Sequence, residues 1–169
     1  MTSLPRPAPN AGADDLVADL VEESEQVQAL ARSLDLPLHS LDPVHLLIRH
    51  LLSTLVHLAT ATATAAAVVD LADPLTPARL RALARIHSAL SSLLSASGSM
   101  ATALDQLAAD QPVTDTAGLV QASRIRGAAL LTSASAHLGA AAGLLRPGPD
   151  HAPAAPSPPT VTPAVRAWS

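Results

Sequence analysis

Leucine, valine and alanine recur at steps of three and four residues through most of the chain, which is the spacing of one face of an α-helix. The first such face contains Leu16, Leu20, Val27, Leu30 and Leu34. Proline-containing segments interrupt the pattern three times. The spacing predicts four helices, at about 14–35, 43–70, 77–110 and 115–145.

Local end signals agree with these limits. Asp42-Pro43 and Thr76-Pro77 each place a side-chain acceptor before a proline, which is typical of a helix start. Leu36-Pro37 ends the first helix, because the residue before proline disfavours the α conformation. Gly98 lies inside the third helix, where we expect either a bend or a close helix contact.

Long helices joined by short connections become antiparallel neighbours. The predicted fold is therefore all-α, an antiparallel up-down-up-down four-helix bundle with a disordered N-terminal arm and a Pro-rich, disordered C-terminal tail. The predicted divisions are a flexible arm over 1–13, the bundle over 14–146 and the Pro/Ala-rich tail over 147–169.

Leucines on the apolar stripes are the expected core. We predict burial of Leu51, Leu55, Leu83, Leu90, Leu104, Leu131 and Leu138. On the fourth helix, Gly127, Ala134 and Ala141 repeat every seven residues beside Val120, Leu131, Leu138 and Leu145. Small residues in that register allow another helix backbone to come close.

Composition excludes several classes of protein. The 169 residues are 49% hydrophobic and contain no Cys, no Phe and no Tyr. Thiol catalysis, Cys-ligated metals and aromatic base-stacking surfaces are thereby excluded. The net charge of −4 argues against a nucleic-acid partner. Residues 1–13 lack the apolar run of a secretory signal, so we expect a cytoplasmic protein.

The second helix raises a membrane question, since residues 51–69 contain no formal charge. Much of its hydropathy comes from alanine, and threonines accompany it, as in a core helix of an Ala-rich bundle. We therefore expect no membrane-spanning segment.

Two groups of residues are candidates for chemistry. Aligning heights along an up-down bundle brings Glu23, His57, His87 and His137, one from each helix, into a single layer. Three imidazoles and a carboxylate suit either a divalent metal or a buried hydrogen-bond network. Arg79, Arg81 and Arg85 form a possible basic patch at the start of the third helix, level with the acidic start of the first. This patch suits cross-helix pairing or an acidic partner.

The chain shows two resemblances to known kinds of protein. The spacing of Arg81 and His87 resembles that of helical-bundle ribonucleases of the HEPN type, but residues six apart on one helix point about 240° from each other. In composition, the chain resembles the small, Lys-free, Ala-rich helical proteins of GC-rich actinobacteria. That resemblance covers the whole chain, carries no motif and transfers no site residue.

No nucleophile elbow, phosphate loop or di-iron motif occurs in the sequence. The leading hypothesis is a non-enzymatic helical interaction or scaffold module without a cofactor, which self-associates or joins a larger assembly through a protein partner. The alternatives are a metal- or ligand-binding bundle and a peripheral protein of a lipid or granule surface.

Overall fold

Four helices pack side by side in the computed structural model, which describes residues 11–35, 43–71, 75–108 and 115–146. They are α1 (Ala11–Asp35), α2 (Pro43–Asp70), α3 (Pro77–Ala108) and α4 (Thr116–Leu145). The predicted all-α bundle is confirmed. α1 begins three residues earlier than expected, and the last two residues of the predicted third helix, 109 and 110, lie outside the described residues. The predicted arm lies outside the described residues except for its last three, which belong to α1; the tail lies wholly outside them.

Side-chain contacts show that neighbouring helices run antiparallel. Along α1 and α2, Glu23 bonds to His57 and Ser33 to His50, so the residue numbers rise on one helix as they fall on the other. Along α1 and α4, Ser24 meets Ser135 and Ser33 meets Arg124 in the same descending order.

Contact between elements is unequal around the bundle. α4 packs extensively against both α1 and α3, whereas α2 contacts the same two helices more sparingly. In the described part of the chain the backbones of α1 and α3 lie apart, whereas those of α2 and α4 come close to each other at a few positions. The four helices therefore lie at the corners of a rhombus in which α2 and α4 face each other across the short diagonal, with α2 the more loosely held.

The α4 seam explains this arrangement. Gly127, Leu131, Ala134, Leu138 and Ala141 are all buried, as predicted. A Cβ atom added at Gly127 would lie 2.8 Å from the Met100 methyl carbon, so the missing side chain admits α3 closely.

Two expectations about individual residues need correction. Gly98 makes no close contact: it is exposed within a continuous α3, and a Cβ atom there would meet open space. Leu55 is 43% exposed rather than buried. Of the other predicted core leucines, Leu131 and Leu138 are fully buried, and the remainder are partly buried against the core, namely Leu51, Leu83, Leu90 and Leu104.

Candidate functional site

A carboxylate–imidazole pair joins α1 to α2. Glu23 is 5% exposed, because it lies one turn beyond Leu20 on the buried face of α1. Its Oε1 lies 2.9 Å from Nδ1 of the half-buried His57. The imidazole N–H donates to the carboxylate, so each side chain satisfies a polar group that burial would otherwise leave without water. The pair ties two helices together near mid-bundle.

The predicted four-residue layer does not form. His87 is exposed, since its neighbour Ile86 occupies the buried face of α3 and consecutive helical residues point about 100° apart. His137 is half-buried on α4. Within the described residues no group of three or more His, Cys, Asp or Glu side chains could hold a metal ion. The four-residue layer is thus corrected to the Glu23–His57 pair.

The predicted basic patch is divided by burial. Arg79 is buried, and its guanidinium donates to the carbonyl oxygens of Val68 and Leu71, each 3.1 Å away. These carbonyls lie at the C-terminus of α2, where the helix dipole favours a cation. Only Arg81 and Arg85 are exposed, so the patch is smaller than predicted.

The backbones of α1 and α3 lie apart in the described chain, so the acidic start of α1 and the basic start of α3 are not direct neighbours. The sequence signalled that arginines at a helix start need compensation. The compensation for Arg79 comes from the preceding helix. Arg81 and His87 are both exposed on one unbroken helix, which gives them no shared site.

A second buried arginine was missed by sequence reasoning. Arg124 on α4 is almost fully buried and donates to Gln121 and, over 3.5 Å, to the Ser33 carbonyl at the end of α1. Burial lowers the pKa of Arg124, and the nearby Asp35 carboxylate opposes that shift. Arg79 and Arg124 thus perform the same task, since each brings a cation to the C-terminus of another helix.

His50 lies beside this arginine. Its Nε2 is 3.3 Å from the Ser33 hydroxyl, which itself donates to the Leu30 carbonyl. Burial lowers the pKa of His50 below its ordinary value of 6.5, and the positive charges of Arg124 and Arg49 lower it further. The imidazole is therefore held neutral at physiological pH.

Two serines connect α1 to α4 reciprocally. The Ser24 hydroxyl donates to the Ser135 carbonyl at 3.0 Å, and the Ser135 hydroxyl donates to the Ser24 carbonyl at 2.9 Å. Gly139 lies one turn further along α4, and a Cβ atom there would be 3.4 Å from the Ser24 hydroxyl oxygen. The two backbones are close at this crossing, and sequence reasoning did not identify it.

An open groove between α3 and α4 has a volume of about 420 Å³. Ser95, Ser99 and Thr102 line it, together with Arg126. The hydroxyls of Ser95 and Thr102 donate to carbonyls of their own helix. Since these donors are already engaged, the groove presents little convergent chemistry for a small ligand.

The most unusual surface lies on α2. Nine large apolar side chains are exposed in the described chain, and five of them belong to this one helix. They are Ile48, Leu52, Leu55, Val56 and Val69. A shallow depression of about 360 Å³ in this region is lined by residues 45, 48, 49, 52, 53 and 56, all on α2. Large contiguous apolar patches are uncommon on the surfaces of monomeric proteins.

We use the name α2 outer face for the exposed residues that recur at alternating steps of four and three. These are His45, Arg49, Leu52, Val56, Ala59, Ala63, Ala66 and Asp70. Alternating steps of four and three define a coiled-coil seam. In the described chain the seam is exposed along its whole length, from the first turn of α2 to the last.

Comparisons with protein families, curated proteins and solved structures found no match. Within the described residues, two helical segments are apolar enough by length and composition alone to cross a membrane, Val44–Asp70 and Thr116–Leu145. The second belongs to the most enclosed helix of the bundle. Two helices of similar hydropathy therefore differ in burial, since α4 is enclosed and α2 is largely exposed.

Proposed function

We propose that the protein is a non-enzymatic helical interaction module whose α2 outer face is covered by a protein partner. The supporting observation is the concentration of exposed large apolar side chains on α2, with Leu52 at 59% and Val56 at 63% exposure. Leaving such side chains in water forgoes about 1.5–3 kcal/mol each relative to full burial. A partner helix laid along the seam recovers part of that free energy.

The rest of the bundle supports the role of a rigid platform. Arg79 and Glu23 tie α2 to its neighbours through hydrogen bonds directed away from the outer face. The interacting residues lie on a continuous helix, which holds their spacing fixed. A preformed, rigid surface loses little conformational entropy when a partner binds.

The test compares complex size in extracts of the native host. The full-length chain carrying an affinity tag should elute in a complex larger than the monomer, and the Leu52→Glu variant should shift toward monomer size. Arg85→Glu on the exposed surface of α3 is the matched control and should leave the complex unchanged. Monomer-sized elution of both the unsubstituted chain and Leu52→Glu would contradict the proposal.

Attachment to a lipid surface is the second candidate, favoured by the hydropathy of α2, whose most apolar stretch has a mean hydropathy of 1.6. An amphipathic helix with exposed leucines and a flanking arginine can lie at a bilayer interface. Flotation of the purified chain with anionic vesicles, and loss of flotation in Leu52→Glu, would favour this candidate over a protein partner.

We also propose a cytoplasmic location, since the leading hypothesis needs only a soluble partner. Fractionation of the host cell tests it. Recovery of the chain in the soluble cytoplasmic fraction is expected, and recovery in washed membranes would instead favour the lipid candidate.

A further inference from the structure

We propose that the partner of the α2 outer face is a second copy of this chain, with the two α2 helices packed antiparallel about a twofold axis. This inference rests on the proposed function and names its partner. It comes from the way the seam residues change along α2.

The two halves of the seam differ in size. The first half carries Leu52 and Val56, whereas the second carries Ala59, Ala63 and Ala66. The seam positions are symmetric about a point between His57 and Leu58. Turning the helix end to end about that point exchanges any two seam positions whose residue numbers add to 115.

Antiparallel pairing about that point places large side chains against small ones. Leu52 meets the Ala63 position of the second copy, and Val56 meets the Ala59 position. Each bulky side chain then fills the shallow surface left by an alanine, which is the condition for dense packing. Parallel pairing would instead set leucine on leucine at one end and alanine on alanine at the other, so the helices would separate at the first end.

Charge obeys the same reversal. α2 contains two formally charged residues, Arg49 near its start and Asp70 at its end, and both belong to the exposed seam. The antiparallel pair places Asp70 of each copy opposite His45 of the other, one turn from Arg49. The parallel pair would oppose Arg49 to Arg49 and Asp70 to Asp70. Like charges in register are unfavourable, so the charges select the same orientation as the side-chain sizes.

The contact has the extent that a stable helix pair requires. From residue 45 to residue 70 the seam covers about 38 Å at 1.5 Å per residue. It lies at the corner of the bundle opposite α4, so two bundles can approach along α2 without α4 in the way. An isologous interface of this kind closes on itself as a dimer and leaves no free copy of the seam.

The first test is the mass of the purified full-length chain by sedimentation equilibrium over a range of concentrations. A dimer of twice 17.1 kDa is expected. Arg49→Asp and Asp70→Arg should each weaken dimerisation about tenfold, because each brings like charges together at both ends of the interface. The double variant, Arg49→Asp with Asp70→Arg, should restore it.

The charge substitutions are suited to α2 in the folded monomer. Both positions are exposed, and a basic residue at the end of α2 suits the helix dipole, so the variants should keep the circular dichroism of the unsubstituted chain. Arg85→Asp on α3 is the control and should dimerise normally. Failure of the double variant to recover would overturn the proposed pairing.

The second test uses disulfide trapping, which the absence of cysteine in this chain makes simple. A mixture of the Leu52→Cys and Ala63→Cys chains should form a mixed covalent dimer on mild oxidation. Neither variant alone should do so, because reversal sets like positions about 16 Å apart along the axis. Rapid dimer formation by Leu52→Cys alone would show parallel pairing and overturn the proposal.

These tests separate the two claims. A purified chain that stays monomeric at all concentrations overturns self-pairing. If host extracts still show a complex that Leu52→Glu dissolves, the interaction-module proposal stands with a different protein as partner. If the monomer instead floats with vesicles through the same face, both protein-partner claims fail.

Discussion

α2 and α4 have similar compositions but opposite positions. Both are long, apolar and nearly uncharged. The most apolar stretch of α2 has a mean hydropathy of 1.6, and that of α4 has a mean hydropathy of 1.4. α4 nevertheless buries its seam between two neighbours, whereas α2 leaves large apolar side chains in water. The difference lies in side-chain size along each face. Gly127 and Ala134 admit adjacent backbones, while Ile48 and Leu52 extend beyond the face that α1 and α3 cover.

The comparison teaches that hydropathy alone does not predict burial in an Ala-rich bundle. α4 packs closely on both of its neighbours because small residues lie along its buried face. α2 has a wider apolar surface than its neighbours cover, which leaves large side chains in water. Substitutions on the two helices should therefore have unequal effects.

The largest difference is expected between Leu131→Ala on α4 and Leu52→Ala on α2. Leu131 is fully buried, so its truncation should lower the free energy of unfolding by about 2–5 kcal/mol. Leu52 is largely exposed in the monomer, so its truncation should change stability by about 0.5 kcal/mol or less. Urea denaturation of dilute protein measures both, and equal losses would remove the distinction between the helices.

The next effect concerns the C-terminal anchor of α2. Replacing Arg79 with Met removes the donor to the Val68 and Leu71 carbonyls and should cost about 1–3 kcal/mol. The exposed Arg81 next to the same turn is the matched control, and Arg81→Met should cost about 0.5 kcal/mol or less. A neutral Arg79→Met would show that the Arg79 hydrogen bonds contribute nothing to holding α2, which would leave its apolar contacts and the Glu23–His57 pair in that role.

Acid should weaken the other end of α2. Burial and neighbouring cations lower the pKa of His50 in the folded protein below 6.5. As the pH falls below 6.5, the unfolded chain binds a proton at this histidine more readily than the folded chain does. The free energy of unfolding therefore decreases. The loss continues down to the lowered pKa of the folded state and then stops growing.

The measurement is the free energy of unfolding between pH 7.5 and pH 5, with pH values chosen about the ordinary histidine pKa. His50→Gln should flatten this dependence, because it removes the imidazole whose pKa is lowered in the folded protein. An unchanged slope in His50→Gln would assign the acid sensitivity to other groups.

The smallest effect separates two glycines. Gly98 is exposed in mid-helix with no atom near an added Cβ, so Gly98→Ala should stabilise the fold by up to about 1 kcal/mol. Gly127→Ala gains the same helix propensity but must displace the Met100 methyl group 2.8 Å away, so its net effect should be smaller or destabilising. Thermal denaturation of the two variants checks the ranking. A larger gain in stability at Gly127 than at Gly98 would show that the α3–α4 contact has room for a methyl group at this position.

Local sequence rules were sufficient for the elements. Proline positions and capping residues predicted helix limits to within three residues, because they act within one turn. The small-residue register of α4 also predicted its burial. The direction in which each side chain points was harder to predict. Heights along the bundle aligned Glu23 with His57 correctly, but they gave no information on the direction of the His87 side chain.

Long-range polar contacts were beyond the sequence. The positive charge near the start of α3 indicated that a compensating group was needed, yet the Val68 and Leu71 carbonyls become its partners only after α2 and α3 fold together. Likewise Leu55 belongs to an apolar stripe of α2, and the sequence does not show that α1 and α3 leave this side chain partly uncovered.

The reciprocal serine pair bears on a problem peculiar to alanine-rich chains. Two smooth helices can slide past each other by one turn, about 5.4 Å, with little change in buried apolar area. Such a slide would break both interhelical hydrogen bonds of Ser24 and Ser135 at once, costing about 0.5–1.5 kcal/mol for each bond. Two small hydroxyls thereby select one alignment of α1 and α4 among several of nearly equal packing energy.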